Sequence, residues 1–265
     1  MIKVIVNGAA GRMGSTNVRL IIEDNELELV GAVEREGFPE MDAGICANKG
    51  EIGVKIVDDI NKLKGIDADV LVDFTTPTAT MKAVEFAEKN RLAMVIGTTG
   101  LSEENLNRIK QASKNIPIVQ SPNMSVGVNI LFKISEIVAK IIGKDYDIEI
   151  LEAHHRFKKD APSGTAVKLG EIVANATGRD YKKSAKFGRN GIIGERTKDE
   201  IGMQVIRAGD IVGEHTVIFG GIGERIELTH RAHSRENFAQ GAMRAVKWVV
   251  NKKPGLYSMF DVLGL

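Results

Sequence analysis

The chain has 265 residues, 43% of them hydrophobic and 27% charged, which suits two modest domains, or one large domain with an insertion, in an ordinary soluble globular protein. A formal net charge of +1 leaves no electrostatic footprint for nucleic acid or for an anionic membrane surface. The single cysteine, Cys46, excludes an internal disulfide and a Cys-rich metal site, and leaves a lone thiol that is either a nucleophile or plain packing.

MIKVIVNGAAGRMG opens directly on an apolar strand without a basic leader, so neither a signal nor a transit peptide is expected. No apolar run reaches the roughly 18 residues of a membrane helix, and the expectation is a reduced, cytoplasmic protein. IKVIVNG (2–8) is a β-branched run ending in glycine, and Arg12 to Glu23 reads as helix. LELVGAVE (27–34) is strand; after a Gly-rich irregular stretch (37–53) come GVKIV (53–57) and ADVLVDF (68–74). A helix over 79–90 leads to LAMVIGTTG (92–100), Ser102 is placed to cap a helix over 102–115, and IPIVQSPN (116–123) is the next strand. Near-continuous apolar strands alternating with helices predict a parallel sheet covered on both faces. Residues 1–125 are therefore expected to form a Rossmann-like, doubly wound α/β domain that binds a dinucleotide.

The pattern changes at residue 126. VGVNILFKISEIVAKIIG (126–143) predicts a long helix burying Leu131, Ile134, Ile137, Val138 and Ile141 on one face. YDIEILEAHH (146–155) begins with strand alternation, and AVKLGEIVANATG (166–178) reads as helix with Gly178 as its stop. Residues 202–221 contain two strand-like arms around AGDIVG, and ERIELTHRA is a further strand. Residues 126–234 are expected to form an α+β domain of mainly antiparallel sheet, for substrate binding and oligomerisation. From Ser234 a helix carrying Phe238, Ala242, Ala245, Val246 and Val249 resumes, and residues 235–265 are expected to return to the first domain.

VNGAAGRMG places Gly8, Gly11 and Gly14 where the first strand meets the first helix. Glycines there let the backbone approach a pyrophosphate, and the helix start offers N–H groups and partial positive charge. The spacing departs from G-x-G-x-x-G, so a tight turn without a ligand is an equal reading of the loop alone. Glu34 ends the second strand twenty residues after Gly14, where a carboxylate can accept from ribose hydroxyls, and the guanidinium of Arg35 could meet a 2′-phosphate. That pair suggests tolerance of both NADH and NADPH; a solvated strand end is the plainer reading. No G-x-x-x-x-G-K-[ST] loop is present, which favours a nicotinamide cofactor over a phosphoryl donor.

EAHHRFKKDAPSGTA (152–166) gathers His154, His155 and Lys158 ahead of a helix start at Ser163 to Thr165. An imidazole can deliver a proton near neutral pH, an ammonium can donate one or neutralise an anion, and a Ser-Gly-Thr helix start suits a carboxylate. Surface histidines and a mere helix cap are the structural alternatives. No metal is expected, because adjacent strand histidines point to opposite sides. Asp160 reads as a local acceptor for the turn rather than a catalyst.

Taken together, GAAGRMG, DFTTPTAT, GTTG, SPNMSVGVN, EAHHRFKKDAPSGTA, GDIVGEHTV, GERIELTHRAHSRENFAQGA and PGLYSMFDVLGL resemble the dihydrodipicolinate reductases, in order from residue 4 to the C-terminus. The resemblance implies an enzyme of lysine synthesis through diaminopimelate, which passes hydride from NADPH or NADH to a cyclic, unsaturated dicarboxylate. It implies that Gly8, Ala9, Ala10, Gly11, Arg12 and Met13 hold the pyrophosphate, with Glu34 and Arg35 at the adenosine end. Gly97, Thr98, Thr99, Ser121, Pro122, Asn123 and Met124 would line the nicotinamide side. His154 would protonate the ring, Lys158 would be a second proton donor or charge partner, and His155, Ser163, Gly164 and Thr165 would grip the carboxylates. The family further implies closure of the two domains and a homotetramer built through the second. Rival expectations are a semialdehyde or sugar dehydrogenase and a non-catalytic dinucleotide sensor.

Overall fold

A computed structural model describes residues 1–265, and the chain divides into two compact units, Met1–Val126 with Glu236–Leu265, and Gly127–Arg235. In the first unit the order is β1 (Ile2–Asn7), α1 (Arg12–Glu23), β2 (Leu27–Val33), α2 (Ala43–Cys46), β3 (Ile56–Val57), a 3₁₀ turn (Ile60–Leu63), β4 (Val70–Asp73), α3 (Pro77–Asn90), β5 (Ala93–Ile96), α4 (Glu103–Ala112) and β6 (Pro117–Gln120). The second holds α5 (Val126–Ile142, its first residue in the first unit), β7 (Asp147–His154), α6 (Gly164–Thr177), α7 (Tyr181–Ser184), β8 (Ala185–Phe187), β9 (Ile201–Arg207), β10 (Gly213–Gly220) and β11 (Arg225–Ala232). The first unit is completed by α8 (Glu236–Val249), β12 (Gly255–Tyr257) and α9 (Met259–Leu263).

The first unit is a Rossmann-like parallel sheet in the order β12-β6-β5-β4-β1-β2-β3. Its strands show no polar/apolar alternation because both faces are covered. Val4, Val6, Val72, Val95 and Val119 pack with Val18 and Ile21 of α1 and Ala242, Val246 and Val249 of α8. Ile5, Leu71, Met94, Ile96 and Ile118 face the other way, onto Val84, Phe86 and Ala87 of α3 and Ile109 of α4. Strand order reverses between β1 and β4, which opens a crevice beyond their carboxyl ends. The loops after β1, β4, β5 and β6 are the NGAAG, FTTP, GTTG and SPNM segments.

The second unit is α+β, with a five-stranded sheet ordered β11-β10-β7-β9-β8. Its antiparallel part is β10 between β7 and β11. The pairings β7–β9 and β9–β8 are parallel, so the sheet is mixed; α6, α7 and the edge strand β8 lie in the chain between β7 and its parallel neighbour β9, the long crossover that a parallel pair requires.

Three local expectations need correction. Of the α5 face expected to be buried, Leu131 is buried, but Ile134, Ile137 and Ile141 are 41%, 46% and 73% accessible, and Val128, Phe132, Ser135 and Ala139 are covered in their place. The helix is apolar on nearly every side, so periodicity could not choose between two candidate faces. Of GVKIV only Ile56 and Val57 join the sheet, at its edge beside β2, while Lys55 makes an isolated antiparallel bridge with Asp42. α3 begins two residues earlier than read, because Thr76 caps it and Pro77 occupies the first turn, whereas α6 begins at Gly164 behind its cap Ser163, at the helix start read over Ser163 to Thr165.

Candidate active site

In the first unit the glycine loop is shaped by contact rather than by flexibility. Gly8 has φ +77°, and a Cβ there would stand 2.6 Å from Thr75 Cγ2. At Gly14 a Cβ would lie 1.9 Å from the Gly8 carbonyl oxygen, so α1 can start flush against the loop only with glycine. Gly11 precedes α1, and no side chain caps that helix start. The Gly8, Ala9, Ala10 and Gly11 N–H groups already donate within the protein, so this cradle, which a side chain would fill, fits a pyrophosphate through the N–H groups at the start of α1.

Glu34 stands beside the loop and accepts from the Ala10 N–H at 3.1 Å and from the Arg35 N–H at 3.0 Å. Arg12 and Arg35 are exposed, whereas Ala9 and Met124 are core residues that can offer a ligand only backbone. Ser121 donates to the Asn123 carbonyl at 2.9 Å, and Asn123 accepts from the Ser125 N–H at 2.9 Å. Thr99 and Pro122 are exposed, Gly97 packs on the Phe74 ring, and Thr98 is buried.

Thr98 points to a residue the sequence did not mark. Asp73, fully buried at the end of β4, accepts from Asn7 Nδ2 at 2.7 Å, Thr75 Oγ1 at 2.7 Å, Thr80 Oγ1 at 2.5 Å and Thr98 Oγ1 at 2.8 Å. Thr98 Oγ1 also accepts from the Thr75 N–H at 2.8 Å. One carboxylate thus ties the ends of β1, β4 and β5 to the start of α3. Cys46 lies in the same unit with its thiol donating to Met41 Sδ at 3.3 Å, and burial pushes that thiol up, the opposite of an activated nucleophile.

In the second unit β7 delivers His154 at its last residue, and Glu152, 1% exposed, stands two residues back on the same face. Glu152 Oε2 lies 2.7 Å from His154 Nδ1 and accepts from Arg207 Nη1 at 2.7 Å; Oε1 accepts from Arg207 Nη2 at 2.8 Å and from the Ser163 N–H at 2.9 Å. The Ser163 hydroxyl accepts from the Ala166 N–H as the cap of α6 and sits 2.8 Å from Nε2 of His215. The rings of His154 and His215 meet edge-on at 5.2 Å.

Gly164 is exposed with open space where a Cβ would be, and Thr165 follows it in the first turn of α6. His155 lies just past the strand, its Nδ1 buried without a hydrogen-bond partner. Lys158 Nζ pairs with Asp160 Oδ2 at 2.9 Å, and the Asp160 carbonyl accepts from Arg207 at 2.7 Å. The acceptor role read for Asp160 is therefore filled by both its side chain and its backbone. The sequence reading missed Glu152, Arg207 and His215; strand period two from His154 was the available signal for the first.

Burial and the neighbouring His154 push His215 down to about 3. Burial opposes ionisation of Glu152, but hydrogen bonds from His154, Arg207 and the Ser163 N–H outweigh it and hold the carboxyl at about 2. A histidine depressed in the fold takes up its proton only on unfolding, so its contribution to stability is lost as pH falls from about 6.5 toward 3. The depressed carboxylate acts in the same sense between about 4.5 and 2. Stability measured by urea unfolding is expected to drop by about 2 kcal/mol from pH 7 to pH 5 on account of His215 alone. His215→Phe should flatten that slope, and an equal slope in the variant would assign the loss to other groups.

Two family profiles match the chain: dihydrodipicolinate reductase, N-terminus, over residues 2–124, and dihydrodipicolinate reductase, C-terminus, over residues 127–263. A 4-hydroxy-tetrahydrodipicolinate reductase of Geotalea uraniireducens (strain Rf4) is 57% identical over 100% of both chains. The protein of that description from Geotalea daltonii (strain DSM 22248 / JCM 15807 / FRC-32) is 56% identical, again over 100% of both chains. Among solved structures, dipicolinate-bound dihydrodipicolinate reductase from Paenisporosarcina sp. TG-14 aligns with a TM-score of 0.79 over 98% of each chain. At 24% identity that likeness is one of fold.

Proposed function

The chain belongs to the dihydrodipicolinate reductase family, and from that premise we propose which of its residues hold the cofactor and which hold the substrate. The activity is that of a 4-hydroxy-tetrahydrodipicolinate reductase, an NAD(P)H-dependent oxidoreductase of lysine synthesis through diaminopimelate. A reduced nicotinamide bound in the first unit supplies the hydride. Gly8 to Met13 receive the pyrophosphate, Glu34 and Arg35 the adenosine end, and Gly97 to Thr99 with Ser121 to Met124 the nicotinamide side.

In the second unit the substrate dicarboxylate is gripped by the start of α6 at Gly164 and Thr165, where N–H groups and the helix dipole favour an anion. Ser163, its N–H held by Glu152 and its hydroxyl by the Ala166 N–H and His215, fixes that start from beneath rather than gripping the anion as read. His155 and Lys158 supply further donors, and Lys158 must leave Asp160 to do so. His154 gives the proton that completes reduction at the ring. The observation that carries this reading is a histidine backed by a buried carboxylate that also holds the helix start where the anion is placed.

The expected homotetramer is likewise a proposal, supported by the exposed isoleucines of α5 and by Ile222, fully exposed after β10, apolar surface of a kind that usually marks an interface. No helix is long and apolar enough to cross a membrane; a cytoplasmic location is proposed from the cofactor and pathway.

The test is oxidation of NADPH and of NADH by the purified protein, with substrate generated from pyruvate and aspartate semialdehyde by a dihydrodipicolinate synthase. Oxidation that requires the synthase is expected with at least one cofactor; folded, cofactor-binding protein that oxidises neither would favour the sensor. In the same assay Arg35→Ala is expected to raise KM for NADPH about tenfold or more and to spare NADH, since a charged hydrogen bond is worth roughly 1.5–3 kcal/mol. Equal losses would mean that Arg35 does not read the phosphate.

A further inference from the structure

The partners of Glu152 carry an inference that rests on the reading of His154 as the proton donor. Every group around this buried carboxylate is a donor: Arg207 through both Nη atoms, the Ser163 N–H, and the His154 ring at Nδ1. An ionised carboxylate only accepts, so the ring must bring a hydrogen on Nδ1. That leaves Nε2 as the atom directed away from Glu152. A Cβ at position 213 would stand 3.1 Å from Nε2, and glycine there keeps the approach to that nitrogen clear. Arg207, paired with His154 across the β7–β9 register, holds the carboxylate by two parallel hydrogen bonds, the geometry that fixes a planar pair best.

We propose that Glu152 is a positioning residue for the reduction: its carboxylate locks the Nδ1–H form of His154, presents Nε2 to the substrate, and fixes the start of α6 in the same frame. When His154 is charged, the proton it gives comes from Nε2, and the Nδ1 proton stays on the hydrogen bond to Glu152. The neutral imidazole left behind is then already the tautomer that can be recharged at Nε2. Proton donor and carboxylate grip are held by the two oxygens of one rigid group, so neither shifts without the other.

Glu152→Gln separates this role from a structural one. The amide N–H₂ meets an Arg207 N–H on either side, and only toward His154 does it find an atom able to accept. It would donate to Nδ1 and move the ring proton to Nε2, giving a neutral N–H that is a poor acid. We expect kcat to fall about a hundredfold or more, as when a histidine is held in the wrong tautomer, with KM for the dicarboxylate within about threefold. ¹⁵N spectra of histidine-labelled protein, assigned with His154→Gln, should show Nδ1–H in the wild type and Nε2–H in Glu152→Gln. The wild-type spectrum decides even if the variant fails to fold: neutral His154 with its proton on Nε2 would overturn the proposal, as would a variant whose kcat stays within twofold. Full activity in His154→Gln would instead overturn the reading of His154 as the acid, whatever Glu152 does.

Discussion

Replacing His154 by alanine is expected to lower kcat by about 10²–10³-fold, the ordinary worth of a positioned general acid, while NADPH binding stays within about twofold. The residues proposed to hold the cofactor belong to the first unit, and the carboxylate left behind in the second keeps three of its four donors, two from Arg207 and one from Ser163. The fold should therefore survive the loss, and the defect should be one of chemistry. Steady-state rates in the synthase-coupled assay, with NADPH binding followed by fluorescence, separate the two. Turnover within twofold of wild type would remove His154 from the mechanism, and a matching loss of cofactor affinity would point to unfolding instead.

The second large effect falls in the other unit and on stability. Asp73→Ala removes a fully buried carboxylate and strands Asn7 Nδ2 and the hydroxyls of Thr75, Thr80 and Thr98. Leaving even two such donors unsatisfied costs about 3 kcal/mol or more, which for a unit of this size corresponds to a fall in Tm of about 6–12 °C. Because the same hydroxyls tie down the loops after β4 and β5, cofactor affinity should drop as well. A Tm within about 2 °C of wild type would show that water or rearranged hydroxyls replace the carboxylate. Asp73→Asn, which keeps one acceptor, is expected to lie between the two.

The parallel sheet was legible because β1, β4 and β5 are runs of residues that only a doubly covered sheet can bury, and α1 begins and ends where glycine and periodicity placed it. The placement of His154 at a strand end and of Ser163 at a helix start was legible for a local reason: both lie within one short stretch. What escaped is non-local. Asp73 reads as the polar end of an apolar strand, and its partners Asn7 and Thr98 are 66 and 25 residues away. Glu152 meets Arg207 across 55 residues, and Ser163 meets His215 across 52. No periodicity announces such pairs. The buried face of α5 was misread because hydrophobicity surrounds that helix, and only packing selects which side is covered. Short pieces such as β8 and β12 take their form from the strand they join, and nothing in three residues specifies that.

The last helix has a consequence for how the chain comes into being. α8 covers Val4, Val6, Val95 and Val119 with Ala242, Val246 and Val249, yet it emerges from the ribosome after the whole second unit. Until then the nascent first unit presents one side of its sheet bare, and β6 has an open edge where β12 will pair. Domains are made at some 5–20 residues per second, so the roughly one hundred residues between β6 and α8 hold that surface open for several seconds or longer. Chaperones that shield apolar strands should therefore engage the chain once β6 has emerged, and their release should coincide with arrival of the C-terminal segment.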